Sequence, residues 1–119
     1  MIFLVEDDEA TRDSLCLLFD CEGLACRGFA SAQAFLDEKP TLDESCLILD
    51  VHMDGMDGLT LLERLRAGGA SVPAIMITGV PSPAVLQRAA AAGAAAVLEK
   101  PFDSGKLIDH VHSLLARKR

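Results

Sequence analysis

Acidic side chains end two of the apolar runs in this chain, and this placement is the first sign of a chemical site. The run Cys46–Leu49 is built like a strand that is buried on both faces, yet Asp50 and a loop rich in Gly and Asp follow it. The opening run Ile2–Val5 leads into the acidic residues 6–9, Glu-Asp-Asp-Glu. A carboxylate at the end of a buried strand is costly unless another charge compensates it. A compensating partner for Asp50 is therefore expected.

Polar side chains also end the later apolar runs. Thr78 closes one of them, and Lys100 stands just beyond another, in the tripeptide Glu-Lys-Pro. Because ligands of an open parallel sheet bind outside the carboxyl ends of its strands, we expect these groups to meet the acids. Two carboxylates about 4 Å apart repel by roughly 4 kcal/mol at an effective dielectric constant near 20, which calls for a cation. A magnesium ion, which prefers oxygen ligands, would compensate Asp50 together with the ammonium group of Lys100.

This set of groups is suited to phosphoryl transfer. Asp50 is a candidate nucleophile, Thr78 and Lys100 can contact phosphoryl oxygens, and Mg²⁺ can neutralise charge. Gly79 leaves room for the incoming group. Each feature also has an ordinary alternative, since acids favour a helix start, Asp50 can be an N-cap, and a lysine can extend along the surface. One common site explains the four strand ends better than four coincidences.

Alternating β and α units must position these residues. Five short apolar runs are bounded by turn residues and separated by segments with helical spacing. The runs are Ile2–Val5, Ala25–Ala30, Cys46–Leu49, Ala74–Thr78 and Ala95–Leu98. The alternation predicts an α/β fold with a doubly wound, five-stranded parallel sheet and five helices on its two faces.

Each predicted helix has an apolar part and recognisable ends. The apolar positions are Leu15, Leu18 and Phe19 in the first helix, Ala34, Phe35 and Leu36 in the second, Leu59, Leu62 and Leu65 in the third, Ala89–Ala92 in the fourth, and Leu107, Val111, Leu114 and Leu115 in the last, which starts at Asp103. Ser31 and Asp57 are suited to N-caps, and Pro83 is suited to a first turn. Gly23 and Gly93 are suited to the ends of helices.

The bulk composition restricts the class of protein. With 119 residues, half of them apolar, the chain is predicted to form one domain over residues 1–119 with one core. A net charge of −7 is unfavourable for binding nucleic acid or an anionic membrane. The opening apolar run lacks a basic leader and is too short to span a membrane, so we expect a cytoplasmic protein. The basic residues 117–119 suit a helix end or the start of a linker to an output domain.

The spacing of the cysteines and histidines does not indicate a zinc site. The cysteines are Cys16, Cys21, Cys26 and Cys46, and they form no C-x-x-C pair. We expect them to fill space in the core as small apolar groups. His110 and His112 lie two residues apart on a predicted helix, and we expect both to be solvated.

Four motifs occur in order along the chain: LVEDDE, LDVHMDGMDG, ITG and EKPF, at the first, third, fourth and fifth apolar runs. With these motifs at this spacing, the whole chain resembles the receiver domain of two-component response regulators. The ITG and EKPF motifs are similar to those of FixJ-like receivers, which are joined to a helix-turn-helix DNA-binding domain. The resemblance implies a flavodoxin-like (CheY-like) sheet with the strand order 2-1-3-4-5.

The resemblance also implies a function. Asp50 would accept a phosphoryl group from a sensor histidine kinase, and the domain would be a phosphoacceptor regulator of transcription rather than an enzyme. The implied magnesium ligands are Glu6, Asp7, Asp50 and the backbone carbonyl of His52. Thr78 and Lys100 would contact the phosphoryl oxygens, and the Lys100-Pro101 bond would be cis. The switched surface would comprise the fourth helix, the fifth strand and the fifth helix, which such domains commonly use to form dimers.

Three positions depart from the family pattern. Val97 stands three residues before the lysine, where family members usually carry an aromatic ring that reports phosphorylation, and its small, stiff side chain would signal weakly. Asp54 replaces a common proline, so we expect a looser loop and another carboxylate near the metal. The side chain of His52 is unusual at its position; it would be solvated or would alter hydrolysis of the acyl phosphate.

Two other functions fit parts of the pattern. A phosphohydrolase with an aspartyl nucleophile would share Asp50 and Mg²⁺, but such enzymes have a second acid two residues on, where this chain has His52, and a larger chain with a cap. A binding module that works without phosphorylation would be expected to have lost part of the acid–lysine set. This chain keeps the complete set.

Overall fold

Five strands and five helices alternate along the chain in the computed structural model, which describes residues 1–116. The strands are β1 (Ile2–Val5), β2 (Cys26–Phe29), β3 (Cys46–Asp50), β4 (Ala74–Thr78) and β5 (Ala96–Glu99). The helices are α1 (Glu9–Cys21), α2 (Ala32–Glu38), α3 (Gly58–Ala67), α4 (Pro83–Ala91) and α5 (Ser104–Ala116). The basic helix end predicted at residues 117–119 lies outside the described residues.

The strands form one parallel sheet in the order β2-β1-β3-β4-β5, which confirms the predicted order. Strand β1 pairs with β2 on one side and with β3 on the other. The chain therefore leaves β1 in one direction along the sheet and crosses back over it to form β3. In open parallel sheets, this reversal opens a crevice at the carboxyl ends of the two strands.

The sheet has a separate hydrophobic core on each face, so the prediction of a single core is wrong. Because side chains alternate along a strand, Phe3 and Val5 face one core while Ile2 and Leu4 face the other. Helices α2, α3 and α4 pack on the first face, and α1 and α5 pack on the second. The doubly wound fold is thus confirmed. No helix within residues 1–116 has the length and apolar character needed to cross a membrane.

Short polar side chains start the helices. The side chain of Ser31 accepts a hydrogen bond from the Ala34 N–H at 3.0 Å, and that of Asp57 accepts one from the Thr60 N–H at 2.7 Å, so both predicted N-caps are confirmed. Pro83 occupies the first turn of α4, also as predicted. These caps satisfy N–H groups that have no partner inside the helix.

Several details of the core differ from the prediction. Ala34 is exposed, because Ala32 and Phe35 form the buried side of α2. Leu61, which was not among the predicted core positions, is buried, and Leu115 is only partly buried. The prediction that all cysteines fill the core is wrong: Cys46 is buried, whereas Cys16 and Cys26 are half-buried and Cys21 is exposed. The reason is that β2 is an edge strand, so it and the end of α1 are covered on fewer sides.

Candidate functional site

Three carboxylates meet where β1 and β3 end. Glu6 and Asp7 follow β1, and Asp50 is the last residue of β3, the neighbouring strand. One carboxylate oxygen from each of the three lies within 4.8 Å of the other two. Glu6 and Asp50 are only 3% and 5% exposed, whereas Asp7 is exposed to solvent. The predicted convergence of these acids is therefore seen.

Lys100 is the compensating partner of Asp50. It follows β5, and its Nζ lies 3.0 Å from Oδ2 of Asp50 and 3.1 Å from Oε1 of Glu6. Its backbone N–H donates to the Thr78 carbonyl at 2.8 Å, which ties the ends of β4 and β5 together. Partial burial acts to lower the pKa of Lys100, but the hydrogen bonds and charges of Asp50 and Glu6 outweigh it, so the pKa is raised. The lysine stays an ammonium group.

Within residues 1–116, Lys100 is the one cation in an ion pair with these acids, so the acids outnumber it. Burial raises the pKa of the Glu6 carboxyl, and hydrogen bonds from the Asp8 N–H and from Lys100 oppose this without cancelling it. With all three carboxylates ionised, the cluster and Lys100 together carry two negative charges. The three side chains of this group offer carboxylate oxygens as ligands, and oxygen is the ligand atom that Mg²⁺ prefers. The residues present therefore fit a magnesium ion.

The loop after β3 completes the surroundings of Asp50. The backbone N–H of His52 donates to Oδ1 of Asp50 at 3.1 Å, while the imidazole ring is exposed. The backbone N–H of Asp54 donates to Oδ2 of Asp7 at 3.3 Å. Among residues 1–116, the acids that could together hold a metal ion are Glu6, Asp7 and Asp50, without Asp54. Asp54 therefore contacts the site through its backbone N–H. A shallow cavity of about 340 Å³ lies beside this loop, lined by Asp7, residues 51–55 and Asp57.

Thr78 lies at the same edge of the sheet, but its hydroxyl has another partner. The side chain is fully buried, and Oγ1 accepts a hydrogen bond from the Val80 N–H at 3.1 Å. The structure thus brings Asp50, Glu6, Asp7 and Lys100 into contact range and places the Thr78 hydroxyl in the turn that leads to α4. Val97 is half-buried and packs against the core on the α3–α4 face. The Lys100-Pro101 bond is cis, as expected.

Gly58 holds a position that sequence reasoning missed. A Cβ atom at Gly58 would lie 2.2 Å from the carbonyl oxygen of Asp50, far inside van der Waals contact. Only a glycine at the start of α3 lets the helix approach the end of β3 this closely. The signal in the sequence is the second Asp-Gly pair of LDVHMDGMDG, in which Asp57 predicts a helix start but nothing local shows how close that helix comes to β3.

Arg12 is a second residue that was missed. Its Nη1 donates to the backbone carbonyl of Glu6 at 2.8 Å, while the backbone N–H of Glu6 donates to the Phe29 carbonyl at 3.1 Å. The aliphatic part of Arg12 crosses Gly28 on β2, where a Cβ would lie 2.8 Å from Cγ of the arginine. Arg12 therefore holds the acidic end of β1 in place. Nothing in the local pattern of α1 distinguishes it from other solvated basic residues.

Comparison with known proteins places this geometry in a family. The response regulator receiver domain family matches residues 2–112. The transcriptional regulatory protein FixJ of Azorhizobium caulinodans is 41% identical over 116 residues, covering 98% of this chain and 55% of that protein. FixJ of Bradyrhizobium diazoefficiens is 39% identical over 114 residues, covering 96% of this chain and 56% of that protein. This chain therefore spans about half the length of these curated relatives.

Solved structures share the fold over nearly the whole chain. The crystal structure of FixJ-N superposes with a TM-score of 0.87 at 31% identity, covering 97% of this chain and 92% of that one. A response regulator receiver protein from Pseudoalteromonas atlantica superposes with a TM-score of 0.91 at 27% identity, covering 99% and 98%. The chain belongs to the receiver domain family of two-component response regulators, a regulatory rather than catalytic family, and its relatives include FixJ-like transcriptional regulators.

Proposed function

We propose that this receiver domain accepts a phosphoryl group on Asp50 from a sensor histidine kinase, with Mg²⁺ bound by Glu6, Asp7, Asp50 and the backbone carbonyl of His52. The observation that carries the proposal is the nearly buried Asp50 carboxylate, which lies between the Lys100 ammonium and two further acids. A carboxylate held in this way is a positioned nucleophile. The surplus negative charge around it supports a divalent cation.

The residues of the chain divide the work of phosphoryl transfer. An oxygen of Asp50 forms a bond to phosphorus while the phosphorus–nitrogen bond of the kinase phosphohistidine breaks, which leaves an acyl phosphate. Lys100 and the His52 N–H orient the carboxylate, since each is bonded to a different oxygen of Asp50. Bound Mg²⁺ would supply neutralisation of the charge on the phosphoryl oxygens. For Thr78 to contact such an oxygen, its hydroxyl must move away from the Val80 N–H.

The proposed output of the domain is control of transcription, and the relatives support it. The full-length FixJ relatives are transcriptional regulatory proteins, so we propose that this domain controls transcription in the cytoplasm through a DNA-binding domain. With a net charge of −7, the domain itself is unsuited to binding nucleic acid or a membrane surface.

We further propose that phosphorylation promotes a homodimer through α4, β5 and α5. Sedimentation that shows the same monomer before and after phosphorylation would contradict the dimer.

A small phosphodonor tests the central proposal. The protein is incubated with acetyl phosphate and Mg²⁺, and its intact mass is measured. We expect one phosphoryl adduct in the wild type and in Asp54→Asn, which removes a nearby acid outside the cluster, but none in Asp50→Asn. Absence of an adduct in the wild type would support a phosphorylation-independent binding module. Turnover of an added phosphate ester would support a phosphohydrolase.

Magnesium binding has its own test. Titration of Mg²⁺ into the protein should shift the backbone amide resonances of Asp7 and Asp50 at millimolar metal, with smaller changes at Asp54. Replacing Asp7 by Asn should weaken the response, since one carboxylate of the cluster is lost. Unchanged resonances at both acids in the wild type would show that the site is misassigned.

A further inference from the structure

Two cysteines from different elements lie side by side at the β2 edge of the sheet. Cys16 is on α1 and Cys26 begins β2, and their Sγ atoms are 2.7 Å apart. Both side chains are half-buried, so solutes can reach them. The other two cysteines are in different situations, because Cys21 is exposed at the end of α1 and Cys46 is buried in the core.

The contact is part of the packing between α1 and β2. Gly28, two residues beyond Cys26, lies under both Arg12 and Cys16: a Cβ there would meet Cγ of Arg12 at 2.8 Å and Sγ of Cys16 at 3.6 Å. The absence of a side chain at Gly28 therefore lets α1 lie close to the edge strand. The same closeness brings the two sulfurs into direct contact.

We propose that Cys16 and Cys26 form a reversible thiol–disulfide site that links α1 to β2, with a low-molecular-weight disulfide such as oxidised glutathione as the oxidant. The thiolate of one cysteine attacks a glutathione sulfur, forming a mixed disulfide and releasing one glutathione thiol. The second protein thiolate then attacks the protein sulfur of the mixed disulfide and releases a second glutathione thiol. Two protein thiols are oxidised and one glutathione disulfide is reduced, so electrons and protons balance.

The surroundings of the sulfurs affect how readily they react. Burial raises the pKa of the Cys26 thiol, and the hydrogen bond and charge of Cys16 raise it further. Because the thiolate is the attacking form, this raised pKa slows exchange at the pair. The two steps are the same whichever of the two cysteines attacks first, since their sulfurs are in mutual contact.

Mapping of the bonded cysteines tests the site. Trypsin leaves all three cysteines of residues 13–27 on one peptide, so a protease that cleaves after Glu22 is used, which separates Cys16 from Cys26. After treatment with oxidised glutathione and blocking of the remaining thiols, we expect the two fragments to remain joined until a reductant is added. The joined species should also form in Cys21→Ser but not in Cys16→Ser.

The stability of the whole domain provides a second readout. Closing a short loop restricts the unfolded chain, so oxidised Cys21→Ser should unfold about 5 °C higher than its reduced form. Treatment with the oxidant should leave the midpoint temperature of unfolding of Cys16→Ser unchanged. The proposal is overturned if the fragments of oxidised Cys21→Ser separate without reductant, with both thiols blocked or carrying glutathione. It is likewise overturned if the joined product requires Cys21.

Discussion

The two outer edges of the sheet are packed in different ways. At the β2 edge, the rings of Phe3, Phe29 and Phe35 contact one another with centroid distances of 6.1, 6.1 and 5.1 Å, and all three are buried. The guanidinium of Arg27 lies 5.1 Å from the centre of the Phe29 ring. Aromatic rings that meet edge to face stabilise a core beyond the area they bury. The α2 side of this edge is therefore expected to be rigid.

Strand β5 at the other edge carries aliphatic side chains and no aromatic ring. Every residue of β5 is partly or fully exposed, and Ala89 is the buried residue of α4. Val80 and Leu86 are 66% and 49% exposed on this side. Little apolar area would have to be separated to shift α4, so movement of α4 costs less free energy than movement of α2, which buries Phe35. This difference supports a switched surface that includes α4, even with Val97 at the usual aromatic position.

The largest expected effect comes from removing one ring of the aromatic cluster. Phe35→Ala should lower the free energy of unfolding by about 3–5 kcal/mol, because it leaves a cavity under α2. Val97→Ala, at the half-buried β5 edge, should cost about 1 kcal/mol. Urea unfolding at equilibrium measures both values. Equal losses would show that the two edges are packed to the same degree, and the comparison would fail.

The junction of α3 and α4 tests what holds the looser edge. Arg66 donates to the backbone carbonyls of Ala92 at 2.8 Å, Ala70 at 3.1 Å and Gly93 at 3.4 Å, so it covers the end of α4. Arg66→Ala should lower the free energy of unfolding by about 2 kcal/mol, since carbonyls lose charged donors.

Arg88→Ala is the matched control, because it joins the same two helices through an exposed ion pair with Glu63. Its loss should cost less than about 0.5 kcal/mol. Thermal unfolding of both variants ranks them. If Arg88→Ala lowered the stability more than Arg66→Ala, the ion pair between Arg88 and Glu63 would be the main anchor of α4.

A smaller effect is expected at the helix starts on the two edges. Ser31 caps α2 and Ser82 caps α4, with acceptor distances of 3.0 and 3.2 Å to the Ala34 and Val85 N–H groups. Each Ser→Ala change should cost about 1 kcal/mol, because capping depends on the local hydrogen bond and not on the packing of the edge. Calorimetry that found a several-fold difference would show that packing also sets the strength of the caps.

The smallest effect on stability is expected on the exposed face of α4. Leu86→Gln should change the free energy of unfolding by less than about 0.5 kcal/mol, because the side chain is already half in solvent. It should nevertheless weaken the proposed dimer of the phosphorylated domain, measured by sedimentation equilibrium. A fully dimeric Leu86→Gln variant would exclude this face from the interface.

Much of the fold could be predicted because its signals are local. The apolar runs predicted all five strands to within about one residue at most ends. Ser31, Asp57 and Pro83 predicted the starts of three helices. Both kinds of signal involve only residues that are neighbours in the chain. The edge strand β2 was less apparent: it is Cys-Arg-Gly-Phe, and only Phe29 is buried. The assignment of Ala34 to the core was wrong because a short helix contacts the sheet with few residues.

The sequence by itself determined which groups could reach the carboxyl edge of the sheet, since the acids, Thr78 and Lys100 directly end or follow their strands. Only the tertiary structure decided the contacts between distant segments. These are the approach of Gly58 to the Asp50 carbonyl, the bond from Arg12 to Glu6, and the pairing of Cys16 with Cys26. Such contacts depend on how helices lie across the sheet, and the periodicity of one segment carries no information about the position of another.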